Sequence, residues 1–351
     1  MTGAPGVAPG TALVTGGSGY FGSLLVAMLR DRGWAVRVLD LRDADDRHAD
    51  VALFRGDIRE PATVRAACDG VDVVFHNVAQ VPLARDAALF QSVNVTGTAT
   101  LLDAAMACGA GKVVYTSSSA VFGVPSENPV TEHTPPHPME AYGRAKYEGE
   151  LLCRAIATRG LDVSVVRPRT ILGHGRLGIF GILFDWIADG ASVPVLGSGH
   201  NRYQFVHASD LASACILAAA RPGSGIYNIG SEDVQTMRRT LEHLCEHAGT
   251  GAGVRSVPGR PAAVAMAALS RTGLAPFGPY HWMMYGREMW FDLSAAHDDL
   301  GWRGVHDTDS MFRESYDWYL AHRDDPAVSG ASHHRSPARQ GALRALKLLM
   351  R

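Results

Sequence analysis

The stretch Val14–Ser23, VTGGSGYFGS, constrains this chain more than any other. It ends an apolar run, TALVTG, and opens a helical pattern over Phe21–Arg32. Gly16, Gly19 and Gly22 fall three apart, and Gly17 adds the frame G-x-G-x-x-G. Glycine permits a tight strand-to-helix turn and lets a ligand approach the backbone, while the free N–H groups of a helix start attract phosphate. In this context the loop predicts a pyrophosphate cradle for a dinucleotide.

The pattern that follows agrees with such a cradle. AVRVLD, VDVVFHNVA, KVVYTSSS and LDVSVVRP read as strands separated by helix-like stretches, as far as Leu172. Strands alternating with helices imply β-α-β units and a parallel sheet covered on both faces. The expected fold is therefore α/β, a doubly wound, Rossmann-like parallel sheet with a smaller C-terminal substrate lobe. The expected divisions are a disordered leader (1–10), a dinucleotide-binding domain (11–172), a substrate lobe interleaved with the main sheet (173–326) and a basic tail (327–351).

Composition narrows the class. The apolar share of 46% supports a sizeable core, and a net charge of −2 offers no basic field for nucleic acid. Five scattered cysteines without a C-x-x-C pair fit reduced thiols and a cytoplasmic location. The leader lacks the charged and apolar regions of a signal peptide, and no run of about 18 apolar residues suggests a membrane span.

Two further features bear on chemistry. Asp40 ends the second strand, 18 residues past Gly22, where a carboxylate bonds both adenosine ribose hydroxyls and repels a 2′-phosphate. NAD is thus favoured over NADP, although Arg42, two residues on, is a guanidinium able to take that phosphate. In AYGRAK, Tyr142 and Lys146 lie four apart, on one face of a helix. A tyrosine of ordinary pKa near 10 is a poor base at neutral pH, and a neighbouring ammonium lowers that value. Upstream, YTSSSAVFG ends a strand with hydroxyls at the sheet's carboxyl edge, where open α/β sheets bind ligands.

Together these residues resemble the extended short-chain dehydrogenase/reductase family of NAD-dependent epimerases and dehydratases. The likeness runs from Thr11 to about Asp210, more weakly to Tyr319, and rests on T-G-x-x-G-x-x-G at Thr15–Gly22, Asp57-Ile58, Ala79, the S-S-x-x-V-F-G run and Y-x-x-x-K. The resemblance implies an enzyme, with Ser118, Tyr142 and Lys146 catalytic; alignment of Val121–Gly123 with the family's V-Y-G selects Ser118 over Ser117 and Ser119. It also implies cofactor contacts from Gly16, Gly19, Tyr20, Phe21, Gly22, Asp57, Ile58, Ala79, Lys146 and Pro168, and a supporting role for Asn94, which a plain helix hydrogen bond would equally explain. A homodimer through helices that include the Tyr142 helix is a further implication.

The branch is read from departures. The family's dehydratases resemble S-T-D-E-V-Y-G, with elimination carboxylates where this chain has Ser119 and Ala120, and its decarboxylases place a Glu at Ala120. Both activities are disfavoured. What remains is a nucleotide-sugar epimerase that oxidises a secondary alcohol transiently or, as the alternative, a net dehydrogenase/reductase of a 3β-hydroxysteroid-like or polyol alcohol. Asn201–Ala214 resembles the epimerases' R-x-F-x-H-V-x-D-x-A, but Arg202 falls one residue early; RPRTILG has Thr170 where they have Asn. HNVAQVP resembles the 3β-hydroxysteroid-dehydrogenase-like branch. Candidate substrate residues are Ser119, Arg169, Thr170, Arg176 and Arg202. The stretch Pro279–Phe291 suits either lobe core or an apolar cleft. His243, His247 and His333-His334 have no further ligand at matching spacing, so no metal is expected. In the tail, Leu343, Leu346 and Leu349 recur opposite Arg344, Lys347 and Arg351, a pattern for a frayed tail, a helix docking on its own domain or a partner subunit, or a weak membrane-surface contact.

Overall fold

The computed structural model describes residues 9–80, 87–173, 175, 177, 179–272, 283–324 and 343–350; the leader's first eight residues, Arg176, His333-His334 and most of the basic tail lie outside them. Six strands come first: β1 (Thr11–Thr15), β2 (Ala35–Asp40), β3 (Ala52–Arg55), β4 (Val73–His76), β5 (Lys112–Thr116) and β6 (Val163–Pro168). With a seventh, Gly225–Ile229, they form one sheet in the order Gly225–Ile229, β6, β5, β4, β1, β2, β3. Every pairing is parallel. β4, β5 and β6 are buried throughout, as strands sandwiched between two helical layers must be.

Alternate residues of β1 serve opposite cores. Ala12 and Val14 pack with Leu25 and Leu29 of the helix Tyr20–Arg30 and with Leu211 of Ala208–Ala220. Leu13 packs with Val64 of Pro61–Cys68, Leu101 of Gly97–Ala107 and Cys153 of Ala141–Ala157. The strand order reverses between β1 and β4, which opens a crevice at their carboxyl ends.

The seventh strand reaches the sheet after the helix Ala208–Ala220, so residues past 172 complete the sheet begun at residue 11. Buried Lys112 secures that junction: its Nζ donates to Asp162 Oδ1 (2.7 Å) and to the carbonyls of Arg221 (2.8 Å) and Gly223 (2.9 Å). A second buried cation, Arg167 of β6, donates from Nε and Nη2 to Glu150 of the helix Ala141–Ala157 at 2.8 and 2.6 Å. Both side chains are fully buried, and Ser117 donates to the same carboxylate at 2.6 Å.

The lobe stands over the carboxyl edge. Phe180, Phe205 and Phe312 meet edge to face, with centroids 4.9 to 6.1 Å apart. The C-terminal helix Leu343–Leu349 docks on the helix Phe180–Ala188. Lys347 there donates to Asp189 Oδ2 (2.9 Å) and also bonds the Asp185 carboxylate. Leu343 is buried in the core and Leu346 partly exposed, so the stripe seen in the sequence is used at least in part inside the protein.

Candidate active site

The cradle is built by backbone proximity. Gly16 has φ +70°, and its N–H donates to the Leu39 carbonyl at 2.9 Å. A Cβ on Gly22 would lie 2.0 Å from the Gly16 carbonyl oxygen, so the helix start and the turn touch where only glycine fits. Gly22→Ala is expected to destabilise the protein by about 1–3 kcal/mol and to weaken NAD binding with it; chemical denaturation and calorimetric titration check both. Asp40 accepts from the N–H groups of Ser18 (3.1 Å) and Arg42 (3.3 Å) and lines the crevice. Arg42 itself is exposed and absent from the cavity wall.

One cavity of about 820 Å³ begins here. Gly16, Gly19, Tyr20, Phe21, Gly22, Asp40, Asp57, Ile58, Ala79, Ser118, Ser119, Tyr142, Lys146, Pro168, Arg169 and Thr170 all line it. Arg59 grips Asp57 with Nε at 2.9 Å, and that bond holds the Asp57 carboxyl below its usual range.

Behind the crevice runs a polar relay that sequence reading missed. Thr98 donates to the Asn94 carbonyl (2.8 Å), so its oxygen accepts from His76 Nε2 (2.9 Å). His76 Nδ1 is then the acceptor for the Thr15 hydroxyl at 2.8 Å. Burial, first, and the Lys146 charge push the His76 pKa down to about 3, so the ring is neutral. Asn94 does not reach the cavity wall. Its side chain clamps the Gln80 backbone, accepting from N–H at 2.8 Å and donating to the carbonyl at 3.1 Å, and thereby sets the loop after β4. It sits in a π-helical segment, Phe90–Thr96, a wide turn often found near functional sites.

Tyr142 stands in the first turn of its helix because Glu140 caps that end, accepting from the N–H groups of Tyr142 (2.7 Å) and Gly143 (2.5 Å). A Cβ on Gly143 would lie 2.5 Å from the Ala120 carbonyl oxygen, so the helix presses directly on the serine loop. Glutamate is outside the usual N-cap set, which hid this cap from sequence reading. Lys146, one turn on, is buried; Nζ donates to the Thr116 carbonyl at 2.8 Å and lies 4.9 Å from the Tyr115 ring centre. Burial lowers its pKa to about 8.

The three serines divide by environment. Ser117 is buried and committed to Glu150. Ser119 is buried within a 3-10 turn. Ser118 is partly exposed on the cavity wall and accepts from the Ala120 N–H at 3.2 Å, which leaves its hydroxyl proton to donate elsewhere. Asn77, also on the wall, has its amide oxygen held by Thr116 at 2.6 Å and its buried Nδ2 without a partner. That orphaned donor, the glycine cradle and the Asp40 carboxylate fit a dinucleotide spanning the crevice.

The substrate candidates separate. Arg169 is buried, with its Cζ 4.5 Å from the Tyr203 ring centre and 5.6 Å from that of Phe291. Thr170 bonds the Tyr203 hydroxyl at 2.9 Å. Arg202 is not on the wall: it turns outward and stacks on Trp290 at 4.3 Å. Neighbouring strand residues face opposite ways, so the one-residue offset exchanges Arg202 for Tyr203 at the cavity. Met284 and Tyr285 line the cavity, and Met284 belongs with Met289 and Phe291 to the core, so the stretch serves both uses.

The histidines have protein partners. His243 pairs with Asp309 at 2.8 Å and His247 with Asp317 at 2.7 Å, both tying their helix to Thr308–His322. His207, His306 and Glu314 bring ligating atoms together. The Ser209 N–H donates to His207 Nδ1 at 3.2 Å, which leaves the Nε2 proton for Glu314 at 2.9 Å. The three side chains thus form a hydrogen-bonded network in which His306 Nδ1 also bonds the Asp210 carboxylate at 3.0 Å.

Residues 12–230 match the family described as NAD dependent epimerase/dehydratase. An uncharacterised protein of Sinorhizobium fredii is 50% identical over 342 residues, 97% of this chain and 86% of that protein. A dTDP-glucose 4,6-dehydratase of Streptomyces niveus is 34% identical over 273 residues, 71% of this chain and 81% of that protein. The solved structure of DesIV, a dTDP-glucose 4,6-dehydratase from Streptomyces venezuelae with NAD bound, superposes with a TM-score of 0.73 at 27% identity, covering 89% of this chain and 98% of that one.

Proposed function

The chain belongs to the NAD-dependent epimerase/dehydratase family and is an NAD-dependent enzyme, and we propose that it carries out the net oxidation or reduction of a secondary alcohol on an apolar substrate. The observation that carries this reading is the wall beyond Pro168. Ile179, Phe180, Leu183, Trp186, Leu196 and Met284 form much of it. Among described residues the cations on the wall are Arg59, Lys146 and Arg169. Arg59 is held by Asp57 and Lys146 by the Thr116 carbonyl. A pocket of this kind, largely apolar with a few convergent polar groups, suits an apolar ligand better than a sugar diphosphate.

In this reading Tyr142 accepts the proton of the substrate hydroxyl while Ser118 donates a hydrogen bond to the same oxygen. Lys146 holds positive charge beside the phenolate and lowers the cost of forming it. NAD, when bound, supplies the two-electron acceptor, and its reduced form the donor. Asp40, on the cavity wall, would hold the adenosine ribose and disfavour a 2′-phosphate. The Lys146 ammonium is present below pH about 8 and lost above it. Lys146→Met removes it at every pH, so the acid limb of kcat/KM for alcohol oxidation is expected to move about one unit or more to higher pH; a pH–rate profile checks this.

A second reading, epimerisation of a nucleotide sugar, keeps one specific support. Nε and Nη2 of Arg169 are buried without partners and would suit a phosphate. The similar Streptomyces niveus protein is named for a nucleotide-sugar substrate. Elimination by this chain is disfavoured because Ser119 and Ala120 carry no carboxylate. The purified enzyme with NAD and a hydroxysteroid or a secondary alkanol should generate the NADH absorbance band. Conversion of UDP-glucose to its epimer, with no alcohol giving NADH, would replace the first reading by the second.

A further inference from the structure

The cavity that holds Ser118, Tyr142 and Lys146 extends to the last helix of the chain, where Leu343 and Leu346 form part of its wall. The same wall takes side chains from other segments, Trp186, Val257 and Met266 among them. The helix is fixed in place from behind. Lys347, which does not line the cavity, is 8% exposed and donates to the Asp185 carbonyl (3.1 Å) and to the carboxylates of Asp185 and Asp189. Its ammonium holds the Asp189 carboxyl below the usual range. Tyr319 donates to Asp185 Oδ1 at 3.1 Å, and the Ser192 N–H donates to the Met350 carbonyl at 2.8 Å.

A short amphipathic helix has little stability alone, and its apolar residues gain most from a surface that covers them. Here a paired lysine and two aspartates hold such a helix against the wall of a largely apolar chamber. We propose that this helix is the specificity-determining end wall of the substrate site, and that the substrate is a secondary alcohol or ketone with an extended, uncharged hydrocarbon body that ends against Leu343 and Leu346. The inference rests on the oxidoreductase reading above and deepens it. Lys347 is a positioning residue: it acts on substrate only through the helix it pins.

The full-length enzyme is tested with saturating NAD on the series of secondary alkanols from 2-butanol to 2-dodecanol. Each buried methylene is worth about fourfold in affinity, so KM should fall by about that factor per carbon until the chain meets the end wall, with kcat nearly constant. Lys347→Ala should raise KM for the long members at least tenfold and leave kcat and the short members unchanged. Lys347→Arg should restore the length dependence, which a loss of general stability would not do. Leu346→Trp, at a position already partly exposed, should move the cut-off to shorter chains. Displacement of anilinonaphthalene sulfonate by 2-dodecanol gives a readout independent of turnover and should weaken in Lys347→Ala. A wild-type series flat in chain length, or an unchanged slope and unchanged displacement in Lys347→Ala, would overturn the end wall while leaving the oxidoreductase reading intact. Displacement sensitive to Lys347 with neither an alkanol nor a hydroxysteroid giving NADH would support the end wall and overturn the proposed reaction.

Discussion

Tyr142→Phe is expected to lower kcat in both directions by about 10²- to 10⁴-fold, the range for losing a positioned acid–base group. The substitution removes one oxygen and keeps the ring, which packs edge to face on Phe90 with centroids 6.1 Å apart. Glu140 caps the helix through the Tyr142 backbone N–H, which the variant retains. Folding and NAD affinity should therefore be close to wild type, and steady-state kinetics with calorimetric titration of NAD separates the two effects. Turnover retained within tenfold of wild type would remove Tyr142 from the proposed chemistry.

Glu150→Gln should cost about 3–5 kcal/mol of stability, the range for breaking a fully buried ion pair by removing one partner. Arg167 would be left as an uncompensated charge between β6 and the helix Ala141–Ala157, and the tie from Ser117 would weaken. Replacing both members, Glu150→Met with Arg167→Met, should cost less than the single change because no charge is stranded. Urea denaturation of the three proteins gives the comparison. A cost below about 1 kcal/mol for Glu150→Gln would mean that the pair contributes little to holding this helix.

Features set by local chemistry were legible in the sequence. The phosphate turn needs glycine where carbonyl and helix touch, and that requirement shows as Gly16 and Gly22. The Tyr142–Lys146 spacing shows because a helix repeats in the chain's own order. All three serines line the cavity, with Ser117 spent on Glu150 and Ser118 partly exposed; the choice of Ser118 comes from the family's V-Y-G alignment and stands as a proposal. Features set by distant contacts were not legible. Nothing near Lys347 announces Asp185 and Asp189, about 160 residues away in the chain. The one-residue offset of Arg202 was visible in the sequence, but its stacking on Trp290, 88 residues away in the chain, was not. Asn94, expected near the cofactor, braces the loop at Gln80 instead of touching the cavity.

The late arrival of Gly225–Ile229 in the sheet bears on how such a chain can be recombined. A cut after Leu172 would leave β6, buried along its whole length, as a bare apolar edge ready to pair with another chain. It would also strip Lys112 of two of its three acceptors. The segment between β6 and Ala208 is therefore best regarded as an insertion between two parts of one sheet. Exchanging substrate preference between relatives would require two joints within the sheet-forming region, and a third exchange at the C-terminal helix that closes the chamber.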